Sequence, residues 1–129
     1  MLAALVLALA LPAGATPAAT NGDFESRVHA AKMAEAASTG PAYQKTLWGR
    51  IGGTTAVAYK GCLANAKNDK SPFTLVLDVG AHGRPQRIAV QPATPTAACM
   101  AAHFAGLTLP APPAMPVPYP LEIDFSVTP

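Results

Sequence analysis

Charged side chains are scarce in this chain: Asp, Glu, Lys and Arg make up 12% of its 129 residues, and their formal net charge is +2. The Lys and Arg residues are scattered along the sequence and form no dense run. A nucleic-acid-binding surface needs a cluster of such cations to neutralise several phosphates at once. The composition therefore excludes a broad basic surface, and we expect no nucleic acid among the partners.

The motifs of common enzyme sites are missing as well. The sequence contains no Gly-x-Ser-x-Gly, no phosphate-binding glycine loop and no His-Glu-x-x-His. Asp78 could pair with Glu122 or Asp124 as the two carboxylates of a glycosidase. All three, however, occupy the polar phase of amphipathic strands. We therefore predict that the protein is not an enzyme and uses no cofactor.

Metal ligands are sparse. The histidines, His29, His82 and His103, lie far apart in sequence rather than clustered at the helix or hairpin spacing of zinc ligands. The two cysteines, Cys62 and Cys99, do not form the Cys-x-x-Cys arrangement of redox proteins. The sequence therefore predicts neither a metal site nor a redox site.

Aromatic residues make up only 6% of the chain, and a small domain needs them in its core. Tyr43 and Trp48 are therefore expected to pack the N-terminal helices against that core. An exposed recognition patch formed by the two side chains is the alternative.

Apolar residues dominate the start of the chain. Residues 2–11 form an unbroken apolar run, and no charged side chain precedes Asp23. A bilayer span needs about 20 apolar residues, so a run of ten fits the apolar region of a secretory signal. Ala13-Gly14-Ala15 fits its cleavage pattern, and Ala19 is a second cut point. We predict a signal peptide over residues 1–19 and no stable membrane span after its cleavage; a buried apolar helix is the alternative.

An exported chain with an even number of cysteines is expected to pair them. A bond between Cys62 and Cys99 would close a loop of more than thirty residues. In the chain-entropy model, it would stabilise the fold by about 3–4 kcal/mol. Two unpaired buried thiols are the alternative.

Three helices are predicted before the first strand. The first runs from Asp23, its cap, to Ala37, and Gly40-Pro41 ends it. The second carries Tyr43, Leu47 and Ile51 on one face and is expected to break at Gly52-Gly53. The third is predicted from Thr54 or Thr55 to Ala66, with Val57, Cys62 and Leu63.

Alternating apolar residues predict a strand at 73–79, which a glycine-containing turn at 80–83 joins to a return strand at 84–91. Thr94-Pro95 begins another helix, which stops at Gly106. The Pro-rich residues 107–118 are expected to be an extended connector, with a ligand for another domain as the alternative. A one-sided strand follows at 119–127. The fold class is therefore α+β: N-terminal helices, then a β-β-α-β three-stranded antiparallel sheet with helices on its apolar face.

The order and spacing of residues 55–127 resemble the TonB carboxy-terminal domain superfamily, in particular its two-cysteine branch of AgmX/PglI-type proteins. The matching features are the helix with Cys62, the strand at 73–79, the turn at 80–84, the strand that ends near Val90, the helix with Cys99, the segment 109–113 and the final strand 119–125. We accordingly divide the chain into a signal peptide (1–19), an N-terminal helical segment (20–54) and a TonB-C-like domain (55–129).

This resemblance implies a periplasmic protein that pairs a sheet edge with an extended segment of a partner. We therefore expect a non-catalytic adaptor that binds an envelope protein by sheet-edge or helix-face contact. The candidate partner-binding residues are His82, Arg84, Arg87, Glu122 and Asp124. The alternative is a small periplasmic inhibitor or immunity protein that inserts the loop 80–83 into the cleft of an envelope enzyme.

Overall fold

The structure, a computed structural model, describes residues 21–127. The predicted signal peptide lies outside the described residues. The elements are α1 (Asn21–Ala36), α2 (Gly40–Asn65), β1 (Phe73–Val79), β2 (Pro85–Gln91), α3 (Pro95–Ala105) and β3 (Tyr119–Phe125). The predicted α+β class is confirmed.

The three strands form one antiparallel sheet in the order β2-β1-β3. Strand β1 is central and pairs along its whole length with β3, from Phe73 opposite Phe125 to Val79 opposite Tyr119. Both long strand predictions are confirmed, although β3 ends at Phe125 rather than at residue 127.

One face of the sheet carries the main hydrophobic core. The alternating β1 residues that the sequence marked as apolar are all buried there, together with residues from β3, α2 and α3. A fully buried side chain of this size contributes roughly 1.5–3 kcal/mol relative to an exposed one. The central members are Tyr43, Leu47, Ile51, Phe73, Leu75, Leu77, Val79, Ala97, Met100, Phe104, Tyr119, Leu121 and Ile123.

The opposite face of the sheet is covered by α1, which the strand pattern did not predict. Val76 and Asp78 point to this face and are both buried. Arg27 and Lys32 of α1 reach Asp78 and Glu122, respectively. Asp78 and Glu122, which the sequence analysis placed in the polar phase of amphipathic strands, are therefore covered by a helix that packs over this face.

Helix α2 is continuous through the predicted break at Gly52-Gly53, so the two-helix prediction for this segment is wrong. Buried Ile51 precedes the glycines and buried Thr55 and Cys62 follow them, so tertiary packing holds both halves in one helix. The intrinsic cost of about 1 kcal/mol for each helical glycine is outweighed. The boundary between residues 54 and 55 falls inside this helix.

The predicted disulfide is present between Cys62 of α2 and Cys99 of α3. It joins the helix before the hairpin to the helix after it. Helix α3 begins at the predicted cap, where the Thr94 side chain accepts a hydrogen bond from the Ala97 amide.

The Pro-rich connector has neither helix nor strand and is tied down at its start. The Leu109 amide donates to the carbonyl of Gly83 in the hairpin turn (2.9 Å). The Tyr43 hydroxyl donates to the Pro110 carbonyl (3.0 Å), and burial raises the pKa of Tyr43 to about 12, which keeps the donor protonated. These bonds fix the hairpin, α2 and the connector relative to one another.

Tyr43 and Trp48 have different environments. Tyr43 is buried, with its ring edge-on to Tyr119 (centroids 4.8 Å apart), so the core prediction is confirmed for it. Trp48 is exposed and donates a hydrogen bond to Gln44, so that prediction is wrong for Trp48. Val57 of α2 is exposed.

No helix within residues 21–127 combines the length and the apolar character that a membrane span requires.

Candidate functional site

The five predicted partner-binding residues do not converge on one place. His82 and Arg84 are exposed at the hairpin end of the sheet. Asp124 lies opposite Thr74, near the other end of the sheet. Thr74 is six residues from Gly80 of the hairpin turn, which corresponds to roughly 20 Å of extended chain. Its carboxylate accepts a hydrogen bond from the Thr74 hydroxyl (2.7 Å).

Arg87 belongs instead to a charged cluster that joins α1 to the sheet. Its Nη1 lies 3.1 Å from Oδ2 of Asp78, and the other carboxylate oxygen lies 3.8 Å from Nη2 of Arg27. Arg27 Nη2 also donates to the carbonyl of Arg87 (2.6 Å). One buried carboxylate is therefore shared by two guanidinium groups.

The backbone of Arg87 is in the left-handed region, with φ 52°. The register between β1 and β2 shifts between Val76 and Asp78, so that Arg87 and Ile88 lie opposite one β1 residue. Such a bulge bends the strand and redirects its side chains. Here it places the Arg87 guanidinium against Asp78, on the face that α1 covers.

Burial lowers the pKa of Arg27, and the negative charge of Asp78 opposes this shift. An arginine remains protonated in proteins even so. The Arg27 side chain is only 14% exposed, whereas that of Arg87 is 61% exposed. Arg27 is therefore the inward, structural cation of the cluster, and Arg87 presents its charge to solvent.

Glu122 lies beneath α1 rather than on an open surface. Its Oε1 is 3.4 Å from the Lys32 ammonium, and its Oε2 is buried with no hydrogen-bond partner among the described residues. Burial, followed by the nearby charge of Asp124, raises the pKa of the Glu122 carboxyl. This geometry leaves Glu122 little room to contact a partner.

An open groove runs beside α1, between this helix and the end of the Pro-rich connector; we call it the α1 groove. Its volume is about 510 Å³, within the range of about 300–1,000 Å³ typical of ligand clefts. The lining residues are Ala30, Met33, Ala34 and Ala37 of α1, Asp78 and Arg87 of the sheet, Pro116 and Pro118 of the connector, and Pro120 of β3.

Exposed apolar side chains occur on α1 and in the connector segment that borders this groove. Met33 lines it and is 62% exposed. Met115 and Val117, which flank Pro116 in sequence, are 81% and 53% exposed. Large exposed apolar groups that lie together are typical of interaction surfaces, whereas isolated ones need no explanation.

Other surface depressions combine fewer of these features. One lies between α2 and α3, lined by Val57, Ala58 and His103, and it contains no charged side chain. Another lies at the far end of the sheet beside Tyr59, Asp124 and Phe125, where the two aromatic rings already stack on each other. The α1 groove pairs exposed apolar side chains with an accessible guanidinium.

The sequence analysis named Arg87 as a candidate and considered Asp78 only as a catalytic carboxylate, but it singled out neither Arg27 nor the groove residue Met33. A signal was present for Arg27, because it interrupts the apolar stripe formed by Phe24 and Ala31. No comparable signal marked Met33, because its role depends on where the connector passes.

Within the part of the chain that the structure describes, no three His, Cys, Asp or Glu side chains are grouped so that they could hold a metal ion. Comparisons with protein-family models, with curated proteins and with solved structures find no match to this chain.

Proposed function

We propose that this protein is a non-catalytic, disulfide-bonded binding module of the cell envelope, exported to the periplasm, which holds an extended apolar segment of an envelope protein in the α1 groove. The proposal corresponds to the helix-face form of the adaptor expected from the sequence. The observation that carries it is an open groove whose lining combines the exposed side chain of Met33, the connector residues Pro116 and Pro118, and the guanidinium of Arg87.

Two properties of the groove suit a polypeptide. The thioether side chain of Met33 is flexible and polarisable, so it adapts to different apolar side chains. The opposite wall contains Pro116 and Pro118, whose nitrogens carry no hydrogen-bond donor. A partner therefore gains contact through its apolar side chains rather than by pairing its backbone with this wall.

Pairing with the outer edge of β2 is less favoured by the geometry. The outer edge of β2 pairs with no other strand among the described residues. The bulge at Arg87 interrupts it, however, and the Arg87 carbonyl already accepts a bond from Arg27. Proteins use bulges of this kind to discourage the addition of strands.

One observation favours the alternative of a small inhibitor. The bond between Leu109 and Gly83 fixes the hairpin turn, and His82 at its tip is exposed. A rigid exposed loop loses little entropy when it enters an enzyme cleft. In that case His82→Ala and Arg84→Ala would abolish binding.

The test uses the oxidised protein as bait in envelope extracts, beside two surface variants. Ala30→Gln/Met33→Ser alters the groove at two exposed helix positions, and Val57→Ser removes an exposed apolar side chain elsewhere. We expect an envelope protein that wild type and Val57→Ser retain in stoichiometric amounts and that the groove variant loses. Equal retention by the groove variant, or loss with His82→Ala and Arg84→Ala instead, would contradict the proposal.

A further inference from the structure

We propose that Arg87 anchors the occupant of the α1 groove through a carboxylate, so that the groove selects extended apolar segments that carry an Asp or Glu side chain. This inference rests on the proposed function, because it names the chemistry of the segment that the groove holds. It assigns Arg87 a role in recognition in addition to its contact with Asp78.

The guanidinium of Arg87 has unused donors. Of its five N–H groups, the contact with Asp78 involves those on Nη1. The side chain is 61% exposed and lines the groove. A guanidinium presents its donors as a planar fork that matches the two oxygens of a carboxylate.

The neighbouring charged residues leave the Arg87 guanidinium able to bind a carboxylate. Asp78 contacts both Arg27 and Arg87, so its single negative charge does not neutralise both guanidinium groups. Asp23 acts on Arg27 and is not among the groove-lining residues. Lys32 contacts Glu122, and neither residue lines the groove. Arg87 is therefore the cation that an incoming carboxylate meets at the groove.

Arg87 is also held in place before any partner arrives. Its carbonyl accepts a bond from Arg27, its Nη1 contacts Asp78, and the bulge fixes its backbone. Ordering a long side chain on binding costs about 0.5–1.5 kcal/mol. Because Arg87 is already restrained, a carboxylate that binds it loses less of its binding free energy to this ordering.

The same geometry disfavours a purely apolar occupant. A segment packed against Met33 and Pro118 would cover part of the Arg87 guanidinium and remove its water. A charged group that loses water without gaining a partner is unfavourable. An Asp or Glu side chain beside the apolar residues restores the lost hydrogen bonds, so the groove discriminates in favour of acidic-apolar segments.

The experiment selects a phage-displayed library of random peptides on the oxidised wild-type protein. Enriched sequences are then synthesised and their Kd is measured. Each is compared with its Glu→Gln or Asp→Asn version and with a form that carries an amidated C-terminus. The protein variants are Arg87→Asn, which removes the guanidinium and tolerates the left-handed backbone, and Arg50→Gln, which removes the same charge from an exposed residue of α2 outside the groove lining. Urea unfolding of both variants verifies that they are folded.

We expect enriched peptides to combine apolar residues with Asp or Glu and to bind about ten-fold or more weakly after either Glu→Gln in the peptide or Arg87→Asn in the protein. The two changes together should weaken binding little more than either alone, and Arg50→Gln should have no such effect. If Ala30→Gln/Met33→Ser abolishes peptide binding, but neither Arg87→Asn nor loss of the side-chain carboxylate weakens it, this inference is overturned and the proposed function stands. Dependence on the C-terminal carboxylate would overturn the side-chain assignment. If no enriched peptide depends on the groove residues, both proposals fail.

Discussion

A charged side chain occupies the apolar stripe of α1. Arg27 lies three residues after buried Phe24 and four before buried Ala31, on the helix face that packs against the sheet. Its guanidinium is tolerated there because it finds two partners, the Asp78 carboxylate and the Arg87 carbonyl. These contacts position α1 on the sheet and hold Arg87 at the groove.

Glu122 lies on the face of the sheet that α1 covers, and few contacts stabilise its buried carboxylate. Lys32 lies on one side of it, but Glu35 and Asp124 add negative charge, and one of its oxygens has no hydrogen-bond partner within residues 21–127. The raised pKa of Glu122 means that the folded state binds its proton more tightly than the unfolded state does. Its contribution to stability is therefore fully present below the unfolded pKa and is lost as pH rises through the folded pKa.

Glu122→Gln should accordingly raise the free energy of unfolding at pH 7, because the raised pKa costs the wild type stability above the unfolded pKa and an amide does not titrate. It should change the free energy of unfolding little at pH 3, where the carboxyl is protonated. Urea unfolding at the two pH values measures the difference. Glu25→Gln, at an exposed position of α1, is the matched control for the change in net charge. A loss of stability at pH 7 in Glu122→Gln would mean that the ion pair with Lys32 outweighs the burial of the carboxylate.

Helix α2 contains several glycines that no neighbouring element requires. A Cβ built at Gly49, Gly52, Gly53 or Gly61 meets no atom within 4 Å, apart from the helix's own backbone. The situation at Gly83 is the opposite, because its φ is 83° and an added Cβ would overlap the Leu109 carbonyl. The helix therefore keeps its form despite these glycines, whereas the hairpin turn depends on one.

Gly53→Ala should raise the free energy of unfolding by about 0.5–1 kcal/mol, because alanine loses less backbone entropy in a helix and has room at this exposed position. Gly83→Ala should lower it, because the backbone conformation and the contact with the connector both exclude a side chain. Urea unfolding of the two variants tests the contrast. A destabilised Gly53→Ala would show that α2 needs a local distortion at the position where the sequence predicted a break.

The elements that the sequence predicted best are those that one local pattern determines. Alternation of Phe73, Leu75, Leu77 and Val79 is sufficient to define β1 and its apolar face, and Thr94-Pro95 defines the start of α3. The failure at Gly52-Gly53 has a physical cause: helix propensity is a local quantity, while the packing of Ile51 and Cys62 that overrides it involves residues distant in sequence.

At the scale of the whole molecule, the candidate site also depends on contacts between residues distant in sequence, which a local pattern does not predict. The alternation of Glu122 and Asp124 on β3 predicts a polar face but cannot reveal that α1 folds over Glu122 and leaves Asp124 exposed. The bulge that directs Arg87 toward Asp78 has no signal in the sequence, because a non-glycine residue with positive φ is set by its surroundings. The groove itself exists only where α1 and the connector meet.

The single disulfide links elements that lie on the same face of the sheet but far apart in sequence. Cys62 and Cys99 are 37 residues apart, and the chain between them contains the whole β1–β2 hairpin. The α1 groove lies on the other face and involves neither cysteine. The bond should therefore govern global stability without shaping the groove directly.

Cys62→Ser/Cys99→Ser should lower the free energy of unfolding by about 3–4 kcal/mol, the chain-entropy value for a loop of this length. The measurement is urea unfolding of wild type, of wild type with a reductant, and of the double variant. Reduced wild type and the double variant should agree, because both lack the same cross-link.

In urea-free buffer, a double variant that is still folded should bind groove-dependent peptides as tightly as wild type does, since the bond lies away from the groove. A folded double variant that had lost this binding would show that the disulfide orders the groove as well as the core, and that the two faces of the sheet are coupled.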